Sequence, residues 1–228
     1  MSTSTDHSSM AVLISGGLDS AVLLGEMMRA GKSVYPLYVR SGMCWETVEL
    51  EYLRRFLEAM AGPGLKPLRV LEMPMADVYP RHWSTSGENV PDADTPDEAV
   101  YLPGRNVLLL SKAMLWCHLN DVPAVAIAVL AGNPFPDATS EFFLAFQDSV
   151  NRGIGARVEI LRPYAGLTKT AVLHRGRELP LEWTFSCIQP RAGKHCGACN
   201  KCAERMRGFR EAGIADPTVY HRETSCSA

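Results

Sequence analysis

The chain has 228 residues, of which 46% are hydrophobic and 21% charged, and a formal net charge of -2. That length suits one main domain with a small addition, and the near-neutral charge excludes the broad basic footprint of a nucleic-acid binder, so no nucleic-acid partner is expected. No apolar run reaches the roughly 18 to 20 residues of a membrane span, and the polar stretch 1–9 lacks the basic start and apolar core of an export signal, so the sequence predicts a cytoplasmic protein with a disordered tail at 1–9.

The first predicted strand runs from Met10 to Ile14, followed by a turn and a helix beginning near Asp19 with apolar Val22, Leu23 and Met27 on one face. A second strand covers Val34 to Val39, a helix Glu46 to Met60, and a third strand Leu68 to Met73 after the break at Gly62-Pro63-Gly64. The stretch 74–103 has no period and several prolines, which suggests a lid or mobile loop. A helix over Asn106 to Leu119 follows, with His118 expected toward the core, then an apolar strand Ala124 to Leu130 of the kind buried on both faces. A helix from Thr139 to Arg152, a strand from Arg157 to Leu161 and a helix opening at Thr168 complete the alternation. Strands alternating with helices predict a doubly wound α/β domain with a mostly parallel five-stranded sheet over 10–166, and 167–228 forms a smaller helical, cysteine-rich region.

Directly after the first strand stands Ser15-Gly16-Gly17-Leu18-Asp19-Ser20. Paired glycines let the backbone turn sharply and approach a ligand, and the following helix aims its free N–H groups and positive dipole end at the turn, so an anion belongs there. The dipole supplies roughly 0.3 to 2 kcal/mol, which leaves much of the affinity to the Ser15 and Ser20 hydroxyls and the loop N–H groups. An ordinary strand-helix connection with Asp19 as helix cap is the competing reading of the glycines alone. No Lys-Ser/Thr pair follows, so this is not a Walker A loop. The full string resembles the signature of the ATP pyrophosphatase (PP-loop) superfamily, which implies a grip on the pyrophosphate end of ATP and a magnesium ion at Asp19.

Seven cysteines are an odd count, and four of them, Cys187, Cys196, Cys199 and Cys202, crowd into sixteen positions. Cys187, eight residues before three cysteines that are separated by two-residue gaps, completes a set of four thiolates that suits a closed tetrahedral zinc site, with Gly197 permitting the turn, and a closed site is structural because it leaves no open position. Redox use of the CxxC units or an iron-sulfur cluster is the alternative. His195 is expected to be an exposed loop residue outside the ligand set.

Together the two motifs resemble the 7-cyano-7-deazaguanine synthase family (the QueC or ExsB type). The likeness extends through Pro103-Gly104-Arg105-Asn106, Pro136-Asp137 with Glu141-Phe142, Leu167-Thr168-Lys169, Ser186-Cys187, Arg207-Gly208-Phe209 and Asp216-Pro217, in order from about Met10 to Tyr220. The resemblance implies an adenine nucleotide alpha hydrolase-like fold and an ATP-dependent ligase, which joins ammonia to 7-carboxy-7-deazaguanine through an acyl-adenylate and yields a nitrile. It implies ATP contacts at Ile14, Ser15, Gly16, Gly17, Leu18, Asp19, Ser20, Tyr38 and Val39. Lys169 and Arg105, with Asp19, are then the candidates to handle charge at the phosphates. Phe135, Asp137 and Glu141 are the candidates to hold the deazapurine, Asp137 accepting from a guanine-like edge and Phe135 stacking on the ring. A homodimer follows the family tendency.

The chain also departs from the family. Tyr38-Val39-Arg40-Ser41-Gly42 replaces a common Tyr-Gly-Gln-Arg-His, Gly132-Asn133-Pro134-Phe135 replaces Tyr-Ser-Gly-Tyr, and Ala138-Thr139-Ser140 replaces Cys-Arg-Pro. All fall near the expected substrate pocket. They leave open a related ligase that passes its adenylate to another amine, and a nucleotide-binding protein without turnover.

Overall fold

The structure, a computed structural model, describes residues 7–221; residues 1–6 of the expected tail and the chain beyond 221 lie outside them. Five strands form one sheet in the order β3-β2-β1-β4-β5: β1 (Ser9–Leu13), β2 (Ser33–Arg40), β3 (Arg69–Glu72), β4 (Ala124–Ala126) and β5 (Glu159–Leu161). Every neighbouring pair is parallel, with Ala11 of β1 opposite both Tyr35 of β2 and Val125 of β4. Strand β1 starts at Ser9, inside the stretch expected as tail, and the Ser33 N–H donates to the Ser8 carbonyl at 2.9 Å.

Alternation along β1 splits the interior in two. Met10, Val12 and Ile14 face one apolar layer with Leu23 and Leu24 of α1 (Leu18–Arg29) and Leu53 and Phe56 of α2 (Glu46–Ala59). Ala11 and Leu13 face the other with α4 (Arg105–Leu119) and α5 (Ser140–Ile154), which follow the short α3 (Trp83–Ser86) in the chain. Each fully buried Leu or Phe contributes roughly 1.5 to 3 kcal/mol. Val172 and Leu173 of α6 (Lys169–Gly176) and Phe209 of α7 (Asn200–Ala212) enter the first layer. The C-terminal region therefore shares the core of the sheet.

Helix α4 buries Leu110, Ala113, Met114 and Cys117, the i, i+3, i+4, i+7 stripe of one face. His118 lies one step round from Cys117 and is exposed, contrary to the expectation that it faces the core. Strand β4 is also shorter than the apolar run suggests. After Ala126 the Ile127 N–H still donates to Leu161 at 2.9 Å, but the chain then turns from the ladder and spends its apolar residues on a cavity wall.

A third apolar cluster joins the aperiodic stretch to the cysteine loop, through Met75, Tyr79 and Leu102 on one side and Phe185, Ile188 and the four cysteines on the other. The Tyr79 hydroxyl donates to the Pro103 carbonyl at 2.5 Å, and Ala93 N–H donates to Ala198 at 3.0 Å. Residues 74–103 thus form a strap, closed on itself by Tyr79 and tied to the cysteine loop at Ala93, whose Trp83, Val100, Tyr101 and Leu102 face the same cavity as the sheet edge.

Candidate active site

The strand order reverses between β1 and β4, and connections leaving the carboxyl ends of these strands diverge to opposite faces of the sheet. That divergence opens a crevice. Here it is a cavity of about 340 Å³, bounded by the loop after β1, the ends of β2 and β4, the start of α4 and the strap.

The loop after β1 is shaped by its glycines. Gly16 has φ of +78°, and a Cβ there would stand 3.2 Å from the Glu49 Cγ, so any side chain would be strained and crowded. The Gly16 carbonyl accepts from Phe185 N–H at 2.7 Å, tying the loop to the chain just before the cysteines. Gly17 rather than Asp19 is the N-cap of α1, and no side chain caps that end; the cap reading of Asp19 is therefore incorrect. The Ser20 hydroxyl donates to the Gly17 carbonyl at 3.2 Å, and Ser15 Oγ accepts from Gly17 N–H at 3.4 Å. The turn is held open toward the cavity with hydroxyls and a helix N-terminus on one side.

Asp19 leans the other way. Its Oδ2 accepts from the Lys169 ammonium at 2.6 Å, whereas Oδ1 is buried without a partner among the described residues. Lys169 also pairs with Glu204 at 3.0 Å, and Glu204 in turn contacts Lys201. Burial opposes the charge on Lys169, but Asp19 and Glu204 outweigh it and hold the ammonium above the ordinary lysine range. Burial likewise works against the Glu204 carboxylate, and Lys169 and Lys201 overcome it, lowering its pKa to about 2. Lys169 stands one contact behind the cavity wall. Lys201 is in the wall.

On the opposite side Arg105 opens α4 and faces the cavity, its guanidinium 6.0 Å from the centre of the Trp45 ring. Among the described residues it forms no ion pair. Beneath it Glu49 accepts a hydrogen bond from the Tyr38 hydroxyl at 2.7 Å. Burial pushes the Glu49 pKa up to about 8, against the opposing effects of the Tyr38 bond and of Arg105. A carboxyl with a raised native pKa stabilises the fold below its unfolded value of 4.5 and loses that contribution as pH rises through 8. Glu49→Gln keeps an acceptor for Tyr38 and removes the ionisation. Its stability relative to the parent is expected to rise by on the order of 3 kcal/mol between pH 5 and 8 in urea unfolding. A pH-independent difference would contradict the protonated carboxyl.

The far wall holds Phe135 and Asp137. Tyr101 from the strap stacks on Phe135 with ring centres 5.0 Å apart, so one face of that ring is taken. Asp137 is buried at 5% exposure and its Oδ2 accepts from Asn106 N–H at 2.9 Å, which satisfies a free donor in the first turn of α4. Asp137 thus caps α4, the helix before it in sequence, and α5 is capped by Thr139. Its Oδ1 makes no bond within the described residues and belongs to a residue lining the cavity. Glu141 is exposed in the first turn of α5 and does not line the cavity, because residues 140–143 turn their apolar side, Phe143, inward.

The cysteines close the near end. The sulfurs of Cys187, Cys196, Cys199 and Cys202 are buried and lie within 4.8 Å of one another. The N–H groups of Gln189 and Cys196 each point at the Cys187 sulfur at 3.3 Å, and Cys199 N–H points at Cys196 at 3.3 Å, the arrangement that supports thiolates around a metal. Four sulfurs at this separation fit one tetrahedral ion such as zinc. His195 is 1% exposed rather than on the surface: it packs on Phe185 at 4.5 Å, and its Nε2 accepts from Ser186 N–H at 3.1 Å. Burial, then Arg205, lowers its pKa to about 3. Arg205, which sequence reasoning passed over, is buried and ties the segment together through Thr184, Thr218 and the Leu181 carbonyl.

A five-stranded parallel sheet with helices on both faces and a glycine turn at the end of β1 defines a doubly wound α/β protein, and two solved structures share the architecture. A 4-thiouridine synthetase in complex with RNA and bound ATP aligns at a TM-score of 0.51 and 16% identity, over 90% of this chain and 50% of that one. A predicted subunit of tRNA methyltransferase from Methanocaldococcus jannaschii aligns at 0.51 and 14%, over 95% of this chain and 93% of that one. The family model for queuosine biosynthesis protein QueC matches residues 9–213. The 7-cyano-7-deazaguanine synthases of Syntrophotalea carbinolica and Syntrophobacter fumaroxidans are 35% and 36% identical, each over 93% of this chain and 96% of the relative. That of Myxococcus xanthus is 34% identical over 92% of this chain and 96% of its own length. The chain belongs to the QueC family.

Proposed function

We propose that this protein is a 7-cyano-7-deazaguanine synthase, an ATP-dependent carbon-nitrogen ligase working on 7-carboxy-7-deazaguanine and ammonia in queuosine biosynthesis. The observation that carries the reading is a single cavity lined by the Ser15-to-Ser20 loop, the unpaired cation Arg105, and Phe135 with Asp137. A carboxylate and a nucleotide need such a meeting place.

The chemistry follows from the poor electrophilicity of a carboxylate. Its oxygen attacks the α-phosphorus of ATP, expelling pyrophosphate. Ammonia then displaces AMP from the acyl-adenylate and loses a proton, giving the amide. In a second round the amide oxygen takes an adenylyl group and the nitrogen loses a proton; elimination of AMP with the remaining N–H proton leaves the nitrile. Both rounds expel a polyanion at the loop after β1, where free N–H groups and the dipole of α1 stabilise it. Arg105 on the opposite wall offers a planar donor to the same charge. Asp19, oriented by Lys169, suits magnesium because its buried Oδ1 lacks a protein partner; the ion would neutralise phosphate charge. Zinc held by Cys187, Cys196, Cys199 and Cys202 would supply structure alone. Asp137 Oδ1 is the acceptor for the guanine-like edge and Phe135 its apolar neighbour, whereas exposed Glu141 is left out of the proposal.

We place this activity in the cytoplasm, where ATP is supplied, and in a homodimer, for which exposed Leu115 and Leu119 on α4 and Leu144 on α5 offer apolar surface. The reaction has a direct test at its first step. Labelled pyrophosphate is expected to exchange into ATP only when 7-carboxy-7-deazaguanine is added, without ammonium. Exchange independent of that acid would refute carboxylate activation.

A further inference from the structure

The lysine of the charged cluster that faces the cavity is Lys201, while Lys169 is committed to Asp19 and Glu204 behind the wall. Lys201 sits between the metal-type cysteines Cys199 and Cys202, in the first turn of α7, a position where a cation opposes the helix dipole. Glu204, one turn on, contacts both lysines and offsets that opposition. A side chain placed against a local preference, and held there by a half-buried carboxylate, points to a use outside the helix.

We propose that Lys201 is a phosphate-binding residue for ATP, carried into the cavity by the cysteine loop, with Glu204 as the positioning residue that keeps Lys201 and Lys169 side by side. The inference rests on the ATP reading above. Three facts support it. Lys201 shares the cavity with Ser15, Gly17 and Asp19, at the end where the Phe185 N–H holds the Gly16 carbonyl. Its side chain is 33% exposed, open enough to leave Glu204 for a stronger anion. The cluster of Asp19, Glu204, Lys169 and Lys201 carries two charges of each sign, so a magnesium ion at Asp19 would leave it with excess positive charge facing a pyrophosphate. Four residues joined by three contacts thereby connect the phosphate loop to the metal loop.

Calorimetric titration of the metal-loaded protein with ATP and with AMP, both with magnesium, tests this. Lys201→Met is expected to weaken ATP binding about tenfold, the scale of one lost charge-assisted bond, and to leave AMP within twofold. Lys201→Arg is expected to restore most of the ATP affinity. Equal weakening for both nucleotides, or for neither, would overturn the proposal. The parent protein provides a second readout that no folding defect can blur. ATP, but not AMP, is expected to protect Lys201 several-fold from an amine-acetylating reagent, read by mass spectrometry. Equal labelling with the two nucleotides would overturn the assignment while leaving ATP binding itself standing, and a parent protein that bound neither nucleotide would refute the ATP reading as well.

Discussion

Lys169→Met is expected to reduce AMP formation by about a hundredfold or more and to destabilise the fold by about 3 kcal/mol. Both effects come from the same geometry. The ammonium lies 2.6 Å from Asp19 and 3.0 Å from Glu204, all three side chains being about a fifth exposed. Without it two carboxylates face each other with only Lys201 and solvent to compensate, and Asp19 loses the contact that fixes its carboxylate. The partly open surroundings keep the stability cost at the lower end for a broken buried pair. The pH dependence gives an independent check. Glu204, lowered from 4.5 to about 2, stabilises the protein above its unfolded pKa, and that contribution drains away as pH falls through 2. In Lys169→Met the lowering should shrink, so the loss of stability between pH 5 and 2 becomes shallower. Unchanged activity, or an unchanged acid limb, would show that Lys169 is a surface cation.

The cysteine cluster carries the other large effect. Structural zinc sites contribute roughly 10 to 16 kcal/mol in isolated peptides, comparable to the whole stability of a typical domain. Chelation of the metal, or Cys199→Ser, is accordingly expected to lower the melting temperature by on the order of 10 °C or more and to abolish amide-exchange protection from Phe185 to Cys202. ATP affinity should fall in parallel, since Phe185, Ser186, Ile188 and Lys201 line the cavity and Phe185 N–H holds the Gly16 carbonyl. A native protein without zinc, or one whose stability ignores Cys199→Ser, would remove the structural role.

Legibility from the sequence followed the range of the interaction. The turn after β1, the four cysteines and the alternation of strands and helices are local patterns, and spacing reveals them because backbone geometry fixes which neighbours can meet. Side-chain partnerships between distant segments leave no such trace. Glu49 reads as an ordinary charge in the first turn of an amphipathic helix, yet it is buried against Tyr38 because the glycine turn leaves no other filler beneath it. Glu204 and Lys201 read as solvated helix charges; instead Glu204 pairs with Lys169 and also holds Lys201. The two histidines exchanged places for similar reasons: on α4 the turn of one residue decides inside from outside, so Cys117 is buried and His118 is not, while His195 in an aperiodic loop is buried by Phe185. The run Ala124 to Leu130 looked like one strand because apolar residues serve a sheet and a cavity wall equally well, and only the first three stay in β4.

Phe135 and its neighbours, where the chain departs most from the family pattern, line the same cavity as the glycine turn after β1, so the choice of substrate is tested by product rather than by ATP consumption. Purified protein with ATP, magnesium, ammonium and 7-carboxy-7-deazaguanine should give 7-cyano-7-deazaguanine by mass spectrometry, with two AMP and two pyrophosphate released for each nitrile and none formed without ammonium. AMP with amide but no nitrile, or no acid-dependent AMP at all, would contradict the account.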